Sequence, residues 1–215
     1  EILKDEPTYR LKQVQRAVFL DLIDDWNEAT NFSKPLREIL NKECSLKVKA
    51  RNFVSGDKQT IKSLITLEDN KKIEAVLMRH EDNRNTVCVS TQIGCPLACR
   101  FCDTGKMGFV RNLKEGEILE QVLHFARYLK KQDAKITNVV FMGMGEPFLN
   151  YNNVLDAIRV LNDKEGFNLG ARRMTVSTVG ITEGIDKLIN ENLQVNLAIS
   201  LHASDEKLRQ QLMPI

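Results

Sequence analysis

Three cysteines, Cys95, Cys99 and Cys102, fall within eight residues of GCPLACRFCDTGKMG. Thiolates at the spacing C-x3-C-x2-C can converge on one inorganic centre, and a 4Fe-4S cluster held by only three of them keeps one iron open to a ligand. The same trio with Cys88 or a histidine as fourth ligand makes a zinc site. Zinc ribbons, however, pair two C-x2-C knuckles across a turn, and this sequence has no second knuckle. Five cysteines is an odd count, which argues against a structural disulfide framework and towards metal or redox chemistry.

A second group of polar residues follows at regular intervals. The segment GMGEP carries Gly145 and Glu146, where glycine lets the backbone come close to a ligand and the carboxylate can accept from a cationic amine. It is not a dinucleotide fingerprint, because the third glycine of G-x-G-x-x-G is missing. Ser177, in STVG, and the run Ser200, Leu201 and His202, in SLHAS, add hydroxyl and imidazole groups. Each of these, taken alone, is as readily an ordinary turn or strand end.

These residues need elements to bring them together. TVCVSTQ, ITNVVFMGMGEP, RRMTVSTVG and VNLAISLHAS read as strands, with helices KEGEILEQVLHFARYLKKQ, YNNVLDAIRVLND and ITEGIDKLINE between them. Strand and helix in alternation predict βαβ units and a parallel sheet. All four unusual loops then lie beyond C-terminal strand ends, where such sheets gather their functional groups. In the long helix, Ile118, Val122, Phe125 and Leu129 form one apolar stripe.

Upstream, YRLKQVQRAVFLDLIDDW places Leu11, Val14, Val18, Leu22 and Trp26 on one predicted helical face. SKPLREILNKEC predicts a second helix capped by Ser33 with Pro35 in its first turn. QTIKSLITLED and KKIEAVLMRHE alternate like the strands of a hairpin. We therefore expect three parts: a helical domain over 1–52, a hairpin and linker over 53–86, and the α/β core over 87–215.

At 215 residues, 42% hydrophobic and 28% charged, the chain has the composition of a globular protein. Its net charge of +2 names no polyanionic partner, but residues 71–112 hold 7 basic against 4 acidic groups, including Arg100, Lys106 and Arg111. No apolar run reaches the roughly 18 residues of a membrane span, so no membrane partner and a cytoplasmic location are expected. The sequence starts at Glu1 and stops at LMPI after a helical pattern, and more chain is expected at both ends.

Together CVSTQIGCPLACRFCDTGKMGFVRNL, GMGEPFLN, RRMTVSTVG and AISLHA resemble the radical S-adenosylmethionine methyltransferases that methylate adenine carbon 2 in 23S ribosomal RNA and in transfer RNA. The resemblance runs from residues 7–13 to the C-terminus. It implies an incomplete (β/α) barrel of the radical SAM type behind an RNA-binding helical domain and a β-hairpin. It also implies a 4Fe-4S cluster on Cys95, Cys99 and Cys102, and S-adenosylmethionine held by Gly145, Glu146, Ser177, Ser200, Leu201 and His202. In such enzymes a 5'-deoxyadenosyl radical takes hydrogen from a methylated C-terminal cysteine, the methylene radical adds to adenine, and a second cysteine releases the product as a disulfide forms. Cys88 matches that second cysteine, although by itself it is equally a buried strand cysteine. Glu74 resembles the base that removes the ring proton, although by itself it is equally a solvent-facing strand glutamate.

Arg100, Lys106 and Arg111 could contact RNA phosphates near the cluster, although by themselves they are as readily solvated surface charges. A flavodoxin-type electron donor and a monomeric state complete the expectation. No cysteine follows Cys102, so the sequence as it stands is expected to hold a cluster without completing methyl transfer. GMGEPFLN, in place of GMGEAL, favours carbon 2 over the related carbon-8 methyltransferases. The remaining alternative is a non-catalytic, metal-stabilised RNA-binding fragment.

Overall fold

The computed structural model describes residues 2–4 and 6–214. Helix α1 covers Tyr9–Gln15 and passes directly into a π-helical turn, Arg16–Leu20. The chain then breaks at Leu22, whose φ is 49°. It restarts at Trp26, where Asp25 accepts from the Asn27 N–H and Glu28 closes a capping box. The single helical stripe expected from Tyr9 to Trp26 is thus replaced by two pieces, and Leu11 is exposed. Asp25 is the physical reason, since its side chain caps a new turn better than it continues an old helix. Helix α2, Lys34–Glu43, begins at the predicted Ser33 cap and buries Leu36 and Leu40. These join Ala17, Ile23, Trp26, Ala29 and Phe32 in a small core of their own.

The hairpin is one half of a three-strand meander. Strand β1, Lys49–Val54, precedes β2, Thr60–Thr66, and β3, Lys72–Arg79, all antiparallel. It therefore crosses the expected division at residue 52. Strand β4, Asn85–Cys88, pairs antiparallel with β3. A short hairpin, β5 (Gln92–Gly94) with β6 (Phe109–Asn112), encloses the cysteine loop and a turn of helix, α3 (Asp103–Lys106). Its three- and four-residue strands are too short to show a period in sequence.

Helix α4, Glu115–Lys130, leads to β7, Asn138–Phe141; α5, Tyr151–Asn162, to β8, Met174–Thr178; and α6, Thr182–Ile189, to β9, Asn196–Ile199. Helix α7, Glu206–Leu212, follows. The sheet order is β1-β2-β3-β4-β7-β8-β9, parallel from β4 onward. This is the mixed α/β arrangement expected of an open, partial barrel.

One face of the sheet is sealed. Ile73, Ala75 and Leu77 of β3, Val87 of β4, Val139 and Phe141 of β7, and Met174 and Val176 of β8 pack with α4 and α5. Ile118, Val122, Phe125 and Leu129 are each fully buried, and at about 1.5–3 kcal/mol per side chain this stripe is a main source of the core's stability. Residues on the other face alternate with these, turn away from α4 and α5, and are exposed or only partly buried.

Candidate active site

The loops after β4, β7, β8 and β9 meet at one rim, around a cavity of about 300 Å³. Cys95, Cys99, Cys102, Gly145, Glu146, Ser177, Ser200 and His202 line it; Leu201 does not, and is exposed. A larger open groove, about 810 Å³, lies at the opposite ends of β4 and β7 and contains none of these residues. It carries no thiol, so the smaller cavity is the chemically equipped one.

The cysteine loop is pinned from two sides. The Cys95 N–H donates to Gly108 O at 3.2 Å across the β5–β6 hairpin, and the Arg100 N–H donates to Leu212 O at 2.9 Å in α7. Arg209 of α7 donates to Val179 O, and the fully buried Met213 lines the cavity. Burial is the largest cause raising the Cys95 and Cys99 thiols above their ordinary value, followed at Cys99 by the neighbouring Cys102. Crowding of this kind favours a positive centre that takes up the thiolate charge. Among the described residues no three Cys, His, Asp or Glu side chains converge on a single-ion position. The three thiols border the cavity together.

Glu146 is only 3% exposed. Its Oε2 accepts from the Val179 N–H at 3.0 Å and its Oε1 from the Phe148 N–H at 3.3 Å. Burial pushes this carboxyl up, while hydrogen bonds from Thr178, Val179 and Phe148 pull it down. A carboxylate has about four acceptor sites, so acceptor capacity remains beyond these three donors. A buried carboxylate with spare acceptors beside a cavity suits a cationic amine.

Gly145 is the hinge that allows this. Its φ is +98°, and a Cβ there would stand 2.5 Å from the Gln92 Cβ. Gln92 in turn accepts from the Glu146 N–H at 2.9 Å and donates to Asn112 Oδ1 at 2.8 Å. Ser177 Oγ and Ser200 Oγ are 3.2 Å apart. His202, at φ 58°, lays its ring 4.5 Å from the Phe101 ring at the cavity mouth.

Several supporting residues escape sequence reasoning. Asn150 donates to both Thr91 O and Leu113 O at 2.8 Å. Gln121 accepts from the Ser90 N–H at 2.8 Å and donates to Ser90 O at 2.9 Å. Gln92 and Gln121 are polar positions inside otherwise apolar patterns, which is the signal available; nothing local identifies their partners.

Cys88 and Glu74 lie outside the cavity lining but on the face turned away from α4 and α5. Val76 is paired across from Cys88, and Glu74 stands two residues from Val76, so the two share that face as diagonal neighbours. Burial pushes the Cys88 thiol up to about 11, so it carries its proton at neutral pH. Glu74 is half-exposed and 3.1 Å from Lys62 Nζ. All five cysteines are free, so the structure gives no support to a disulfide.

The expected basic patch is corrected at Arg111. Its guanidinium forms two 2.7 Å bonds to Glu117 and one of 2.9 Å to Asp69. Lys106 pairs with Asp103 at 2.9 Å. Both charges are thus paired within the protein, Lys106 with a neighbour one helical turn away and Arg111 with nearby Glu117 and with Asp69, which is 42 residues distant in sequence.

Parallel βα units with their equipped loops gathered at the C-terminal rim define a half-barrel with a cysteine-lined site. The chain belongs to the radical SAM superfamily, whose family description matches residues 89–214. It is 46% identical over 210 residues to a Dictyoglomus turgidum protein named "Probable dual-specificity RNA methyltransferase RlmN", covering 98% of this chain and 60% of that one. It is 44% identical over 215 residues to "Ribosomal RNA large subunit methyltransferase N" of Nitrosopumilus maritimus, covering 96% and 61%. The crystal structure of a radical SAM methyltransferase from Sphaerobacter thermophilus superposes with a TM-score of 0.93 at 43% identity, covering 97% of this chain and 61% of that one. The chain therefore spans about 60% of the length of these relatives. Among the described residues no helix is long and apolar enough to cross a membrane.

Proposed function

We propose that this chain provides the cluster- and cofactor-binding part of a radical S-adenosylmethionine RNA methyltransferase that forms 2-methyladenine in 23S ribosomal RNA and in transfer RNA. The observation that carries the reading is the meeting of three loop thiols and one buried carboxylate at a single cavity. Cys95, Cys99 and Cys102 would hold a 4Fe-4S cluster. Glu146 would take the amino group of S-adenosylmethionine, with Gly145 giving room for the backbone. Ser177, Ser200 and His202 would line the remainder of the cofactor pocket. When bound, the two groups supply one-electron chemistry and the methyl group.

The chain's own residues govern what surrounds that chemistry. Phe101 and His202, with ring centroids 4.5 Å apart and planes tilted by 51°, line the same cavity. Burial holds the proton on Cys88 at neutral pH, so as a resolving thiol it would need a base to withdraw that proton. Glu74, on the same face, is the group to accept a proton from the adenine ring. The carbon that becomes methylated, the RNA, a flavodoxin-type electron donor, the monomeric state and a cytoplasmic site of action belong to this proposal. So does the assignment of residues 1–52 as an RNA-contacting domain, 53–86 as a connector and 87–215 as the core.

The test is iron and sulfide content after anaerobic reconstitution, with electron paramagnetic resonance spectra before and after adding S-adenosylmethionine. Four irons and four sulfides, a spectrum that shifts with the cofactor, and loss of iron in Cys99→Ala are expected. Stoichiometric zinc in a colourless protein would overturn the proposal.

A further inference from the structure

The face of β1, β2 and β3 turned away from α4 and α5 is unusually cationic for a surface beside a site. Cross-strand register sets its rows: Phe53, Lys62, Val76 and Cys88 form one, and Arg51, Leu64 and Glu74 the next. Lys49, Thr66 and Lys72 form the third. Four cations therefore stand on this face against one carboxylate, Glu74. Only Lys62 is paired with it, at 3.1 Å. Phe53 is 42% exposed, and the Arg51 guanidinium lies 4.8 Å from its ring centroid. The opposite face, by contrast, is sealed by Ile61, Ile65, Ile73 and Ala75.

Charge on an edge strand guards against unwanted pairing, which accounts for Lys49 and Arg51 of β1. It does not account for Lys62 and Lys72, which sit on interior strands, nor for an exposed phenyl ring among them. An aromatic ring braced by a guanidinium, within a field of cations on an open sheet, is the chemistry that binds single-stranded nucleic acid: the ring stacks on a base and the cations meet phosphates. The row that carries Phe53 ends at Cys88, three strands away, or about 14 Å at the usual strand spacing.

We propose that this face is the platform on which an unpaired stretch of RNA lies as its adenine enters the site, with Phe53 stacking on a flanking base and Lys49, Arg51 and Lys72 holding the backbone. The inference rests on the function proposed above and adds where the RNA lies.

The test measures binding of a short, adenine-containing single-stranded oligoribonucleotide to the reconstituted chain over a range of salt. Phe53→Ala is expected to weaken binding about 5- to 100-fold. The triple variant Lys49→Gln, Arg51→Gln, Lys72→Gln is expected to reduce the slope of log affinity against log salt by about 2, at about 0.7 per phosphate contact. Lys135→Gln with Lys164→Gln, an exposed pair elsewhere, should leave that slope unchanged. All variants should retain wild-type iron and far-ultraviolet circular dichroism. Unchanged affinity and slope in the Phe53 and triple variants would overturn the platform while leaving the cluster proposal standing; a chain without a cluster would overturn that proposal instead. Two other occupants would also overturn the platform. One is a second copy, shown by a dimer that Phe53→Ala dissolves; the other is chain following residue 215, shown by an extended protein whose RNA affinity ignores Phe53.

Discussion

Replacing Gln121 by leucine tests how the rim is held. Gln121 is fully buried on α4 and clamps both main-chain groups of Ser90, which is also fully buried. In Gln121→Leu the Ser90 N–H and C=O lose their partners in a site that water does not reach, at about 1–3 kcal/mol each. The third bond, to Glu117 O at 3.1 Å, is made to a helix carbonyl that keeps its backbone partner and adds little. Burying the leucine returns about 1.5–3 kcal/mol, which leaves a net loss of about 2 kcal/mol at the middle of both ranges. At this chain length each kcal/mol lowers the melting temperature by about 2–4 °C, so a fall of about 4–8 °C is expected.

The damage should not stop at stability. Ser90 Oγ accepts from the Met144 N–H at 2.9 Å and donates to Glu74 O at 2.6 Å, tying the cysteine loop's strand to the GMGEP loop and to β3. Urea unfolding gives the stability change, amide exchange at Ser90 reports the local opening, and retained iron reports the rim. A change below about 0.5 kcal/mol, the scatter of surface substitutions, with Ser90 still protected would refute the clamp.

Other outcomes follow from the same contacts. Gly145→Ala puts a side chain at φ +98° and 2.5 Å from Gln92; we expect about 1–3 kcal/mol of backbone strain and weakened S-adenosylmethionine binding, measured by calorimetry on the reconstituted chain. Full affinity in that variant would mean the loop is not the cofactor's seat. His124 is held below its ordinary value of 6.5, chiefly by burial and then by Arg127. A depressed histidine contributes stability above its unfolded value that is lost as pH falls through its folded value. The urea midpoint should therefore drop below about pH 6.5, and His124→Asn, which retains a partner for Ser63, should flatten that dependence; parallel pH profiles would discard the assignment.

The sequence by itself determined the class of fold and which residues are candidates for chemistry. The C-x3-C-x2-C loop, GMGEP and the alternation of strands with amphipathic helices are local patterns, and the fully buried stripe Ile118, Val122, Phe125 and Leu129 follows from helical period alone. Tertiary structure decided what those patterns meet. It made Glu146 a buried carboxylate with two backbone donors, left Leu201 outside the cavity, and spent Arg111 on Glu117 and Asp69. It also split the first predicted helix at Leu22 and brought Met213, just past α7, into the cavity lining. The reason is range: a period records which face an element turns inward, whereas an ion pair across 42 residues or a thiol pushed up to about 11 depends on neighbours that no spacing encodes.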